Sequence, residues 1–211
     1  MSRFAYVGGF GNGHSSAEKV GNTLSGYFED GDVFTFSEYV KNPDKIRRAT
    51  KKAQLVTHSA GALAIAAGFN PDFVYLLNPP LPLSVAGLVG RTLVKTAQMN
   101  TPGHGIHNLS DVSSVLNYSA SSIAELTAHP MANLGSLRKI AKFDAIRVAS
   151  EAKIDGIWSK IVWTTNDVYF QPTQDDLDQA SMNSIPITML AGEHDEVVLR
   201  PEAFLAQVLN G

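Results

Sequence analysis

The sequence predicts an α/β fold: a mostly parallel sheet of about six strands, flanked by helices and interrupted by a helical insertion. Three observations carry this reading. Short apolar runs alternate with longer stretches of helical character. Several runs end in turn-forming residues, such as Gly8-Gly9 and Asn78-Pro79-Pro80. The alternation stops between about Leu81 and Asp155, where no strand signal occurs, and resumes at Lys160. The expected organisation is a core built from residues 1–80 and 156–211, with a helical segment inserted over 81–155.

Taken in order, Phe4–Val7 is the first strand and feeds the loop Gly8-Gly9-Phe10-Gly11-Asn12-Gly13. Ser15 or Ser16 is expected to cap a helix running to about Tyr27, with Glu18 closing a capping box on Ser15. Val33–Phe36 is the second strand, residues 43–53 a short basic helix, and Gln54–Thr57 the third strand. Ala60–Phe69 carries small residues on every face and predicts a helix packed closely on the sheet. Phe73–Leu77 is the fourth strand. Inside the insertion, helices are expected at about 83–99, 111–128 and 133–153, the first two separated by a loop over Asn100–His107. Lys160–Thr164 and Ile187–Ala191 are the last strands, followed by helices at Gln174–Met182 and Pro201–Leu209.

Composition narrows the function. At 211 residues, 44% hydrophobic and 18% charged, the chain has the make-up of one globular domain with a sizeable core. It has no cysteine, which removes disulfide frameworks, thiol nucleophiles, zinc knuckles and iron–sulfur clusters. Seventeen basic against 20 acidic residues leave no electrostatic footprint for bulk nucleic-acid binding. The most apolar region, Phe73 to Val89, is broken by Pro79, Pro80 and Pro82. No run therefore reaches the roughly 18–20 apolar residues of a spanning helix. The chain enters its first strand at Phe4 without a charged leader and long apolar run, so no secretory signal is expected, and the expected location is cytoplasmic.

The sharpest local feature is Leu55-Val56-Thr57-His58-Ser59-Ala60-Gly61-Ala62-Leu63, where an apolar strand runs into a serine and a helix of small residues leaves it. A serine on such a turn sits in strained backbone, and strand and helix pass so closely that bulky neighbours collide. Gly61 meets that demand two residues after the serine; Thr57 stands two before it, bulkier than glycine. The segment resembles the nucleophile elbow of the α/β-hydrolase family, and the resemblance covers nearly the whole chain, with the insertion where that family carries its cap. It implies a serine nucleophile, Ser59, and an oxyanion hole made by backbone N–H groups of Ala60 and of Phe10 in the glycine-rich loop. Gly8 stands where a histidine is often found in that loop. His58 is expected to point away from the site and to be structural.

Other readings of the glycine loop stay open. A dinucleotide fingerprint would need glycine where His14 stands, a phosphate loop would need a following lysine, and an ordinary strand–helix turn needs neither. The family's order is serine, acid, histidine. Of the histidines at 14, 58, 104, 107, 129 and 194, only His194 follows a late strand, with Pro201-Glu202-Ala203-Phe204 opening a closing helix. Asp195 resembles the acid of the family's Gly-x-x-Asp loop, but no histidine follows residue 194 to serve it as base. Asp167, after Lys160–Thr164 and 27 residues before His194, is the acid the resemblance implies.

The remaining features have plainer readings. His104 and His107 suit a loop better than a metal pair, and Lys45, Arg47, Arg48, Lys51 and Lys52 a solvated helix face. Asp175, Asp176 and Asp178 fall near a helix start, where the dipole favours negative charge. Met99, Met131, Leu134 and Phe143 suit either an acyl pocket or packing within the cap. The expected function is hydrolysis of a carboxyl ester with a small or medium acyl group, without a metal or other cofactor. The alternatives are a non-catalytic binding protein on the same scaffold, a carbon–carbon bond hydrolase or haloperoxidase-like enzyme, and a nucleotide-binding α/β protein.

Overall fold

A computed structural model describes residues 2–91 and 130–210, with side chains of 130–134 set aside. Within them lies one six-stranded sheet: β1 (Phe4–Val7), β2 (Gly31–Phe34), β3 (Gln54–His58), β4 (Phe73–Leu77), β5 (Trp158–Asn166) and β6 (Ile187–Glu193), in the spatial order β2-β1-β3-β4-β5-β6. Every neighbouring pair is parallel. Alternate residues therefore feed two cores, one on each face. Ala5, Val7, Leu55, Val74, Leu76, Ile161 and Trp163 point to one, and Phe4, Tyr6, Val56, Leu77 and Val162 to the other. Both faces are buried, which is why the strands read as nearly continuous apolar runs.

Helices close the two faces. α1 (His14–Leu24) and the last helix, α10 (Pro201–Asn210), cover one through Ala17, Val20, Leu24, Phe204, Leu205 and Val208. On the other lie α3 (Pro43–Thr50), α4 (Leu63–Ala66) and α7 (Ala145–Ile154), with Ile46, Ala64, Ile146 and Ala149 in its core. α2 (Phe36–Lys41), α5 (85–91), α6 (Pro130–Lys142), α8 (Gln174–Met182) and α9 (Glu196–Leu199) complete the described helices. None of the described helices is long and apolar enough to cross a membrane.

Several boundaries differ from expectation, each for a local reason. α1 starts at His14 with Gly13 as an N-cap that offers no side chain, so Ser15 already lies inside the helix. Glu18 pairs with His14 Nε2 at 3.1 Å instead of closing a box on Ser15. β2 ends at Phe34 because Thr35 and Glu38 form a reciprocal capping box that opens α2. The expected helix over 60–69 is a short 3₁₀ turn, Ser59–Ala62, leading into α4. The expected helix over 133–153 is two, divided where the Asp144 carboxylate accepts the N–H groups of Ile146 and Arg147. Phe143 is buried beside that break, within the core. The acidic run does open α8, with Thr173 and Asp176 capping it reciprocally. Lys45, Arg47, Arg48, Lys51 and Lys52 are all exposed. The loop carrying His104 and His107, the expected helix over 111–128, Met99 and His129 lie outside the described residues, as do the side chains of Met131 and Leu134.

One consequence of the topology positions the site. Since all strands run the same way, Gly8, Ser59, Asn78, Asp167 and His194 all lie at or just past the carboxyl edge of the sheet. The chain winds outward from β1 to β2, then returns past β1 to β3 and continues the other way. The crevice at such a switch point is where open α/β sheets bind ligands.

Candidate active site

Ser59 follows β3 directly and has φ of 51°, the left-handed region that a serine rarely adopts. The turn is forced by close approach. A Cβ on Gly61 would overlap the Val7 carbonyl oxygen and lie 2.9 Å from that of Gly8. A Cβ on Gly9 would lie 2.9 Å from Ser59 Cβ, so the loop after β1 runs directly against the serine. Thr57 is accommodated because its side chain turns into the sheet, where the hydroxyl donates to the Tyr75 carbonyl at 3.3 Å. Phe10 is half-buried, its ring edge-on to Phe36 with centroids 5.7 Å apart.

Asp167 and His194 come from the ends of β5 and β6 and meet. His194 Nδ1 donates to Asp167 Oδ2 at 2.7 Å, with both side chains buried. Asp167 Oδ1 accepts the backbone N–H groups of Tyr169 at 2.7 Å and Phe170 at 3.0 Å. Burial pushes this carboxyl's pKa up. The His194 charge and hydrogen bond, with the N–H groups of Phe170 and Tyr169, outweigh that and hold it below its usual value. Asp167 is therefore an anion at neutral pH, and it fixes the imidazole tautomer with the lone pair on Nε2. The rings of Tyr169, at 4.7 Å, and Phe170, at 5.8 Å, flank His194 and restrict its rotation. The Arg91 guanidinium donates to the Tyr169 carbonyl, tying α5 to the same loop.

His58 does not point away from this cluster as expected. It is buried under it, its ring 5.1 Å from that of His194. His58 Nε2 lies 3.0 Å from the His194 carbonyl oxygen, and Nδ1 lies 3.0 Å from Asn12 Nδ2. A carbonyl only accepts, so Nε2 carries the hydrogen, and Nδ1 accepts from Asn12. Burial, seconded by the His194 charge, lowers the His58 pKa to about 4 against the weaker pull of Asp195 and Asp167, so this ring is neutral at physiological pH.

Asn78 is the residue the sequence did not single out beyond ending a strand. It is completely buried, with φ of 46°, and its Nδ2 donates to the same His194 carbonyl at 2.7 Å. The signal was present as an asparagine, the side chain most tolerant of left-handed backbone, placed at a strand end before two prolines.

Ligand atoms of His58, His194 and Asp195 lie within 4.8 Å of one another, close enough to pose a metal site. The hydrogen bonds argue against it. Both nitrogens of His58 and Nδ1 of His194 are engaged in hydrogen bonds that a metal would have to displace. The residues present suit a held base better than a metal centre.

No family model matches this sequence, and no curated protein matches it. Solved structures do match its fold. A carboxylesterase of the ammonia-oxidizing thaumarchaeon Nitrososphaera gargenis superposes with a TM-score of 0.65 at 11% identity, covering 100% of this chain and 89% of that one. The enol-lactonase from Burkholderia xenovorans LB400 gives 0.65 at 14% identity, over 99% and 90%. A thioesterase domain from the curacin biosynthetic pathway gives 0.56 at 15% identity, over 100% and 91%. The chain has the α/β-hydrolase fold.

Proposed function

We propose that the protein is a serine hydrolase, and specifically a carboxyl-ester hydrolase for substrates with a small or medium acyl group. The observation that carries this is the convergence, at one sheet edge, of a left-handed Ser59 and a buried Asp167–His194 pair. The similar structures named above are a carboxylesterase, an enol-lactonase and a thioesterase, all acyl-transfer chemistries on this scaffold. Fold alone does not carry the assignment; the side chains do.

In this reading His194 Nε2 takes the proton of Ser59 Oγ as the oxygen attacks the ester carbonyl. Asp167 stabilises the imidazolium that forms. The negative oxygen of the tetrahedral intermediate lies against the backbone N–H groups of Phe10 and Ala60. The intermediate collapses by expelling the alcohol, which takes its proton from His194. Water, deprotonated by the same ring, then releases the acid and frees Ser59.

A panel of p-nitrophenyl esters from acetate to octanoate tests this. Hydrolysis with a preference for the shorter acyl groups is the expected result, and Ser59→Ala is expected to lower kcat by at least about a thousandfold. Full turnover by Ser59→Ala would overturn the reading.

A further inference from the structure

The polar groups beneath His194 do more than fill the core. The His194 carbonyl oxygen receives two side-chain donors, Asn78 Nδ2 at 2.7 Å and His58 Nε2 at 3.0 Å. Each donor is itself held. Asn78 Oδ1 accepts the Thr164 N–H at 2.8 Å and the Thr164 hydroxyl at 3.2 Å, which fixes the orientation of the amide. Asn12 Nδ2 orients His58 from the loop after β1. The last residue of β3 and the residue after β4 thus bond one peptide oxygen of the segment after β6, and they are held in turn by the loop after β1 and by β5. Asn78 adopts left-handed backbone while doing so, a conformation asparagine tolerates.

We infer that His58 and Asn78 are positioning residues: together they clamp the His194 main chain so that the imidazole meets Asp167 on one side and Ser59 on the other. This rests on the serine-hydrolase reading. The clamp acts through the backbone, so it sets the placement of the base without touching substrate. A β6 end that shifts by a fraction of an ångström would loosen the 2.7 Å bond to Asp167 and the attack geometry with it. His58 is suited to the role because burial keeps it neutral, with Nε2 as its one donor.

Geometry supplies a discriminating pair of variants. Glutamine at 58 places an amide N–H near the position of Nε2, whereas asparagine is one bond too short to reach the His194 oxygen. Both are polar and uncharged. The clamp predicts that His58→Asn lowers kcat and the rate of fluorophosphonate labelling by about tenfold, the rate equivalent of one lost hydrogen bond, with KM little changed. His58→Gln should recover most of that loss. Asn78→Ala should lose a similar factor, and the double variant should lose less than the product of the two, because both donors serve one oxygen.

A readout independent of activity is the far-downfield proton resonance of the His194 Nδ1–H···Asp167 bond, assigned by its disappearance in His194→Gln. It should broaden in His58→Asn and Asn78→Ala and sharpen again in His58→Gln. Circular dichroism confirms folding of each variant, and the two positions test the clamp separately if one fails to fold. Unchanged labelling rates together with an unchanged resonance in folded variants would overturn the clamp. A wild-type protein that takes no label, but whose resonance responds as described, would overturn the hydrolase reading and support the clamp. If the resonance did not respond either, both would fall.

Discussion

At the scale of single residues, the central contact is between Asp167 and His194. Asp167 has three donors on its two oxygens, and Asp167→Asn replaces a charge with an amide that can force the wrong imidazole tautomer. This substitution is expected to reduce kcat by about three to four orders of magnitude while leaving KM within a few-fold. Steady-state kinetics on the preferred ester check it. Thr57 yields a prediction of the opposite kind. Changing Thr57→Gly removes bulk two residues before Ser59, yet it deletes a buried hydroxyl that donates to the Tyr75 carbonyl and loosens the strand. The variant is expected to lose about 1–2 kcal/mol of stability, read as a lower urea midpoint, with no gain in rate.

At the scale of elements, the turn at Ser59 depends on one close approach. A methyl at residue 61 meets backbone oxygens of Val7 and Gly8, which cannot rotate away. Gly61→Ala should therefore destabilise by about 2–3 kcal/mol or leave the protein insoluble, as urea denaturation and expression yield will show. Element scale is also where the sequence was most and least readable. β1 and β4 occupy the residues their apolar runs mark, because Gly8-Gly9 and Asn78-Pro79 punctuate them. The strand expected over Val33–Phe36 runs two residues too far and α2 has no counterpart in the reading, because the apolar Val33, Phe34 and Phe36 straddle a boundary set by hydrogen bonds of Thr35 with Glu38. The pairing of Asp167 with His194 matches what the family resemblance implies. The roles of His58 and Asn78 were not, because they bond to a carbonyl 136 and 116 residues away, and nothing local records which strand ends will meet.

At the scale of the whole molecule, the buried polar layer couples stability to pH. His58 has a folded pKa of about 4 against 6.5 for an exposed imidazole, and it faces His194, Asp195 and Asp167. Between those values the unfolded chain binds a proton that the folded protein refuses. Stability is thus fully present above pH 6.5 and falls as pH drops toward 4, by on the order of 3 kcal/mol from this group. Asp167, also lowered, acts in the same direction below the ordinary carboxylate range. Urea midpoints measured from pH 7 to 4.5 should fall in the wild type and fall distinctly less in His58→Gln. Equal slopes would mean that His58 titrates normally and is not sealed in the core.

The claim on which the rest depends is that Ser59 is an activated nucleophile in a hydrolase. It is tested most directly by intact-mass measurement after treatment with a fluorophosphonate, followed by peptide mapping. A single adduct is expected, carried by the peptide containing Ser59 and absent from Ser59→Ala. An adduct that persists in Ser59→Ala, or a folded wild-type protein that takes up none, would contradict it.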